Sequence, residues 1–135
     1  MVRSVLVLDS SPLMFDQYRS CLNGFACDLN YSRHADEALR LADSQAFDLI
    51  FTEIDLPGIS GFEFVQRVRA GNTPQHCPII AITGPADDWM LKRMRTSGFY
   101  AFLAKPLQQE KVFSLAAPFI GQEEPVYAVA TGVSR

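Results

Sequence analysis

Asp9, Glu53, Thr83 and Lys105 each close a different apolar run of the chain, and together they supply two acids, a hydroxyl and an amine. Gathered at one place, such groups handle charge: carboxylates attract a hard cation, and a lysine makes a charge-assisted contact with an acid. Two neighbours qualify that chemistry. Asp9 is followed by Ser10, and a neutral hydroxyl is a poor ligand for Mg2+, which prefers charged oxygens in octahedral geometry. Beyond Glu53 the chain reads Ile54-Asp55-Leu56-Pro57-Gly58, placing a second acid two residues on, just before a Pro-Gly turn.

The four residues meet only if the runs that carry them lie side by side. Ser4 to Leu8, Phe25 to Tyr31, Asp48 to Thr52, Pro78 to Thr83 and Phe99 to Leu103 read as strands. Between them Pro12 to Leu22, Ala35 to Ala46, Phe62 to Ala70 and Asp87 to Ser97 read as helices, and Pro106 precedes a fifth. Pro118 should stop that last helix near Ala116 or Ala117, because proline removes a donor and clashes with the preceding turn. Gly24, Gly71 and Gly98 follow helical segments where a C-cap is wanted. The alternation predicts a doubly wound (βα)5 domain, a five-stranded parallel sheet with helices on both faces. In such a sheet, functional groups gather beyond the carboxyl ends of the strands, where the strand order reverses. Residues 1–120 form the expected domain. Residues 121–135 read as a flexible tail or the start of a linker, with Val126 to Ala130 the one stretch able to pair as a strand.

The 135 residues fit one domain with one core, and 48% apolar composition is ordinary for a soluble protein. A formal charge of -3 gives no general pull toward nucleic acid or an anionic membrane, so neither is an expected partner. No apolar run approaches the ~18 residues of a membrane span, and the N-terminus lacks the pattern of a signal peptide. Cys21, Cys27 and Cys77 show no CxxC spacing and read as reduced, mostly buried thiols of a cytoplasmic protein. His34 and His76 are too scattered for a zinc site.

The run Asp48 to Glu53, the Pro57-Gly58 turn four residues after Glu53, and the Lys105-Pro106 pair resemble a response-regulator receiver (CheY-like) domain, from Ser4 to about Ile120. The resemblance implies the receiver, flavodoxin-like fold and a role in two-component phosphorelay signalling. It makes Asp9 one acid of a metal-binding pair, Glu53 the phosphoacceptor position, and Thr83 and Lys105 the phosphate-contacting groups. Phe102, three residues before Lys105, falls on an aromatic switch position, and phenylalanine there should favour an inward, buried ring. The chain departs from the family where Ser10 replaces the second acid and Glu53 replaces an aspartate, so the resemblance implies that Asp9 and Glu53 hold Mg2+ weakly at best, and no other cofactor is expected. The glutamate carboxylate reaches about 1.5 Å further, and a misplacement near 1 Å costs on the order of 100-fold in a reaction that depends on positioning.

These departures point to a pseudo-receiver that works by protein–protein interaction, with no catalytic residues and at most vestigial autophosphorylation. Glu53 would pair with Lys105 and imitate the phosphorylated state. The alternative is an active receiver, phosphorylated by a histidine kinase on Glu53 or the rival Asp55 with Mg2+. A more remote alternative is a flavodoxin-like nucleotide or flavin binder, against which stands the lack of phosphate-cradling glycines in Ser10-Ser11-Pro12. Expected partners are a histidine kinase, an effector domain or another signalling protein, with the chain a monomer or weak homodimer. On the fourth helix Met90, Leu91, Met94 and Ser97 should face the sheet, leaving Trp89, Lys92, Arg93 and Thr96 outward. Trp89, Lys92 and Arg93 are the candidate partner surface, since Trp and Arg are enriched at hot spots. A shortened fifth helix would disfavour the family's usual dimer contact.

Overall fold

The computed structural model describes residues 2–74 and 76–121. Five strands and five helices alternate: β1 Arg3–Leu8, α1 Pro12–Cys21, β2 Cys27–Ser32, α2 Ala35–Ser44, β3 Leu49–Glu53, α3 Gly61–Ala70, β4 Ile79–Thr83, α4 Asp88–Arg95, β5 Ala101–Ala104 and α5 Gln109–Ile120. All neighbouring strands are parallel, in the order β2-β1-β3-β4-β5. The order reverses between β1 and β3, so their carboxyl ends flank the crevice where such sheets bind and react. The predicted tail, including Val126 to Ala130, lies outside the described residues apart from Gly121.

The two-residue period of a strand explains the layering. Val5, Val7, Leu49, Phe51, Ile80 and Ile82 point to one face and pack with Met14, Tyr18 and Cys21 of α1 and Val112, Ala116 and Ile120 of α5. Their alternates Leu6, Leu8, Ile50 and Ile79 meet Ala35, Ala38 and Ala42 of α2 and Phe64, Val65 and Val68 of α3. A smaller cluster of Ile54, Phe62, Ala81 and Met94 seats α4. Met94 is buried, Met90, Leu91 and Ser97 are half-buried, and Trp89, Lys92, Arg93 and Thr96 are exposed.

Two sequence expectations need correction. Helix α5 does not stop at Ala116 or Ala117 but continues through Pro118 to Ile120. Proline forfeits one hydrogen bond in the last turn, yet Val112, Ala116 and Ile120 form a fully buried stripe four residues apart, and Phe119 packs edge-to-face on Tyr100 at 5.0 Å. Burying one isoleucine is worth about 1.5–3 kcal/mol, and an aromatic pair about 0.5–1.5 kcal/mol more. Tertiary packing therefore offsets the proline penalty of about 3 kcal/mol. Gly121 N–H then donates to the Ala117 carbonyl at 2.9 Å. Gly24 is the second correction, because α1 is capped by Leu22. Gly24 instead leaves room for Phe113, which stacks on Phe25 at 4.2 Å between centroids. Gly98, at φ +99°, does take a backbone conformation that favours glycine.

Gly61 starts α3 against the end of β3. A Cβ there would lie 2.6 Å from the Glu53 carbonyl oxygen and 2.9 Å from Ile54 Cα, and Gly61 N–H donates to the Ile54 carbonyl at 2.8 Å. Both obstructing atoms are backbone, so neither can rotate aside. Gly61→Ala is expected to destabilise the fold by about 1–3 kcal/mol, read as a lower urea midpoint, despite alanine's better helix propensity.

Candidate functional site

The ladder carries on past the strand ends and brings the site residues level with one another. Asp9 N–H donates to the Ser32 carbonyl at 3.0 Å, Ile54 N–H to the Ile82 carbonyl at 3.0 Å, and Lys105 N–H to the Thr83 carbonyl at 2.7 Å. Glu53 pairs in register with Ile82, and Thr83 with Ala104. Asp9, Glu53, Thr83 and Lys105 consequently share one edge of the sheet.

Glu53 is only 5% exposed, so its charge has to be satisfied by protein groups. Its Oε1 accepts from both Ser10 N–H at 2.7 Å and Ser10 Oγ–H at 2.6 Å, and its Oε2 accepts from Lys105 Nζ at 3.3 Å. The Lys105 side chain remains 35% exposed, so that ion pair is partly screened. Ser10 supplies two short, charge-assisted bonds and is the stronger anchor. The sequence reading treated Ser10 only as a missing acid; it is also a donor to the residue at the acceptor position. That the hydroxyl faces Glu53 depends on the β1–α1 turn, which no local motif reveals. Arg33 Nε braces the same turn by donating to the Ser10 carbonyl at 3.4 Å.

Asp9 is fully buried. Its Oδ1 accepts from Ser11 N–H at 2.9 Å, while Oδ2 has no partner. Burial pushes its carboxyl up from the ordinary range, and the charge of Glu53 adds to this; the Ser11 bond and Lys105 oppose it. Asp55 is exposed in the loop after β3. Gly58, at φ +91°, makes the turn that follows.

Thr83 is buried and makes none of the Glu53 hydrogen bonds found among the described residues. It lines, with Gly84, Ala86, Leu91, Phe102 and Lys105, an open cavity of about 310 Å³ between β4, β5 and α4. The Phe102 ring is half-buried on the α4 cluster, with the Arg95 guanidinium 5.9 Å from its centroid. It is half-buried rather than the inward, buried ring expected from phenylalanine's lack of a hydroxyl, and the cavity beside Thr83 stays open. On the outer face of α4, Trp89 is 65% exposed. The Arg93 guanidinium lies 3.9 Å from the Phe62 ring centroid and 5.6 Å from that of Trp89, so it braces α3 against α4 as well as facing outward. Burial raises all three thiols, Cys77 to about 11, which keeps them protonated and unreactive at neutral pH.

Residues 5–117 match the response regulator receiver domain family. The polar-differentiation response regulator DivK of Brucella anthropi is 27% identical over 121 residues, spanning 90% of this chain and 98% of that protein. Among solved structures, the chemotaxis response regulator CheY4 of Vibrio cholerae superposes with a TM-score of 0.80 at 23% identity, over 89% of this chain and all of that one. The receiver domain of a sensor histidine kinase from Pseudomonas aeruginosa, with a magnesium ion coordinated in its active-site cleft, gives 0.79 at 22% identity, over 90% and 100%. The present pocket leaves few carboxylate oxygens for such an ion. Both Glu53 oxygens are engaged, Ser10 is turned as a donor, and Asp9 Oδ2 is the one unpartnered carboxylate oxygen of the pair.

The raised carboxyl of Asp9 has a consequence of fixed sign. Its protonated form is favoured by folding, so its contribution to stability is fully present below the unfolded value of about 3.9 and is lost as pH rises through the higher folded value. Asp9→Asn cannot ionise. Urea unfolding of the two proteins should therefore show the variant gaining on the parent as pH rises from acid to neutral; a pH-independent difference would contradict the raised carboxyl.

Proposed function

Because this chain belongs to the response-regulator receiver domains, the modules of two-component phosphorelay signalling, we propose that it is a pseudo-receiver whose signal does not depend on its own phosphorylation. The observation that carries the reading is the engagement of both Glu53 oxygens, by Ser10 at 2.7 and 2.6 Å and by Lys105 at 3.3 Å. An acceptor must present a free carboxylate oxygen in line with the donor, beside a cation that neutralises the developing charge. Glu53 presents neither free oxygen, and the pair that would hold the cation has lost its second acid to Ser10. Mg2+ binds weakly at best in this reading, and no catalytic residue is assigned.

Glu53 acts as a fixed anion in contact with Lys105, the residue that the family resemblance makes a phosphate contact. The permanent ion pair stands in for the phosphorylated arrangement. Output then passes through a protein partner, a histidine kinase, effector domain or other signalling protein. The exposed Trp89, with Lys92 and Arg93, is the surface assigned to it. The complete α5 removes the objection to a dimer through that side, and a monomer or weak homodimer remains the assignment. No helix among the described residues is long and apolar enough to cross a membrane. The assigned compartment is the cytoplasm.

Incubation with acetyl phosphate and Mg2+, followed by intact mass measurement, tests the reading. The expected result is an unchanged mass. Stoichiometric addition of one phosphoryl group, at Glu53 or at the exposed Asp55, would establish the active-receiver alternative instead.

A further inference from the structure

Two buried side-chain atoms among the described residues lack a hydrogen-bond partner, and they are Asp9 Oδ2 and Tyr18 Oη. They are chemically complementary. An ionised carboxylate only accepts, and a phenol hydroxyl can donate. Leaving either atom buried and unpaired is costly, which gives both a reason to share a partner.

The backbone directs them toward one another. Tyr18 sits on α1, whose first turn follows directly from Ser10 and Ser11 at the edge of the acid pocket. Long side chains on a helix lean back toward its N-terminus, so the phenol of Tyr18 extends up the helix toward that pocket. Its ring is fully buried and lies 5.2 Å, centroid to centroid, from Phe51, two residues before Glu53 on β3. Burial first, and then the charges of Asp9 and Glu53, push the phenol well above its ordinary range. Met14, Tyr18 and Cys21 make up the buried side of α1. An aliphatic residue at position 18 would fill the same core, so packing alone does not account for the hydroxyl.

We propose that Tyr18 is a positioning residue of the acid pocket, its hydroxyl donating toward Asp9 Oδ2 across one enclosed water. Ser11 N–H holds Oδ1 from the turn above, and Tyr18 holds the other oxygen from the helix below. The carboxylate is thereby fixed in orientation, and α1 is tied to the pocket through a bond that depends on the setting of that helix. This contact goes beyond the signalling role of Glu53 and stands whether or not Glu53 imitates a phosphoryl group. A phosphorylated parent protein would overturn the pseudo-receiver reading and leave the Tyr18 contact in place.

The test combines proton NMR of protein labelled in its tyrosine rings with unfolding of Tyr18→Phe, which removes one oxygen and keeps the ring. The expected result has three parts: a slowly exchanging Tyr18 hydroxyl proton, its shift or loss in Asp9→Asn, and a lower denaturant midpoint for Tyr18→Phe. A protected hydroxyl with no deuterium isotope shift transmitted to the Asp9 carboxyl carbon marks the bridging water; such a shift would mark a direct bond and contradict the bridge. Removing a genuinely unpaired buried hydroxyl has the opposite sign, because it relieves a penalty. A Tyr18→Phe midpoint equal to or above the parent's, a hydroxyl proton that exchanges too fast to observe, or one unmoved by Asp9→Asn overturns the proposal.

Discussion

A glutamate carboxylate, 5% exposed and ringed by the ends of a parallel sheet, has to find its own compensation, and the rest of the site follows from how it does so. A buried ion without partners would neutralise or destabilise the fold. Glu53 finds two donors on Ser10 and one on Lys105. The distances rank them. Bonds of 2.7 and 2.6 Å from a backbone amide and a hydroxyl outrank a 3.3 Å contact from a lysine that solvent partly screens. Ser10 holds the carboxylate in place, and Lys105 sets the charge balance.

Ser10 and Glu53 are thus two halves of one change. An acid at position 10 would sit where the Ser10 hydroxyl donates, 2.6 Å from a carboxylate oxygen, and the two like charges would repel. A shorter acid at position 53 would fall about 1.5 Å short of the Ser10 hydroxyl. The pair makes sense together as an internal hydrogen bond of the pocket. Gly61 completes the arrangement from the other side, since only a residue without Cβ lets α3 start against the Glu53 carbonyl. The domain is a signalling receiver by fold and family.

Much of this was legible in the sequence because the physics is local. The alternation of strand and helix stretches pointed to a parallel sheet covered on both faces, and the strand ends placed Asp9, Glu53, Thr83 and Lys105 at one edge. Where the outcome turned on tertiary geometry, the sequence was silent or misleading. Pro118 reads as a helix stop, yet α5 runs on because Ile120 lies fully buried on the stripe of Val112 and Ala116. Arg93 reads as an outward charge, yet part of its role is to stack over Phe62. The direction in which Ser10 offers its hydrogen was beyond sequence reasoning, as was the place where the Tyr18 phenol ends, since each depends on atoms contributed by a different strand. The inward-facing position of Tyr18 on α1 was the available signal: a polar tip on an otherwise apolar stripe calls for a partner.

The central claim is that Ser10 and Glu53 act as a single bonded unit. Urea unfolding of Ser10→Ala, Glu53→Gln and the double variant at neutral pH addresses it most directly. If the unit exists, the double variant loses less stability than the sum of the singles, with a coupling of about 1 kcal/mol or more for a charge-assisted bond in a buried site. Strict additivity of the two substitutions would contradict it and leave Glu53 a remnant in an uncommitted pocket.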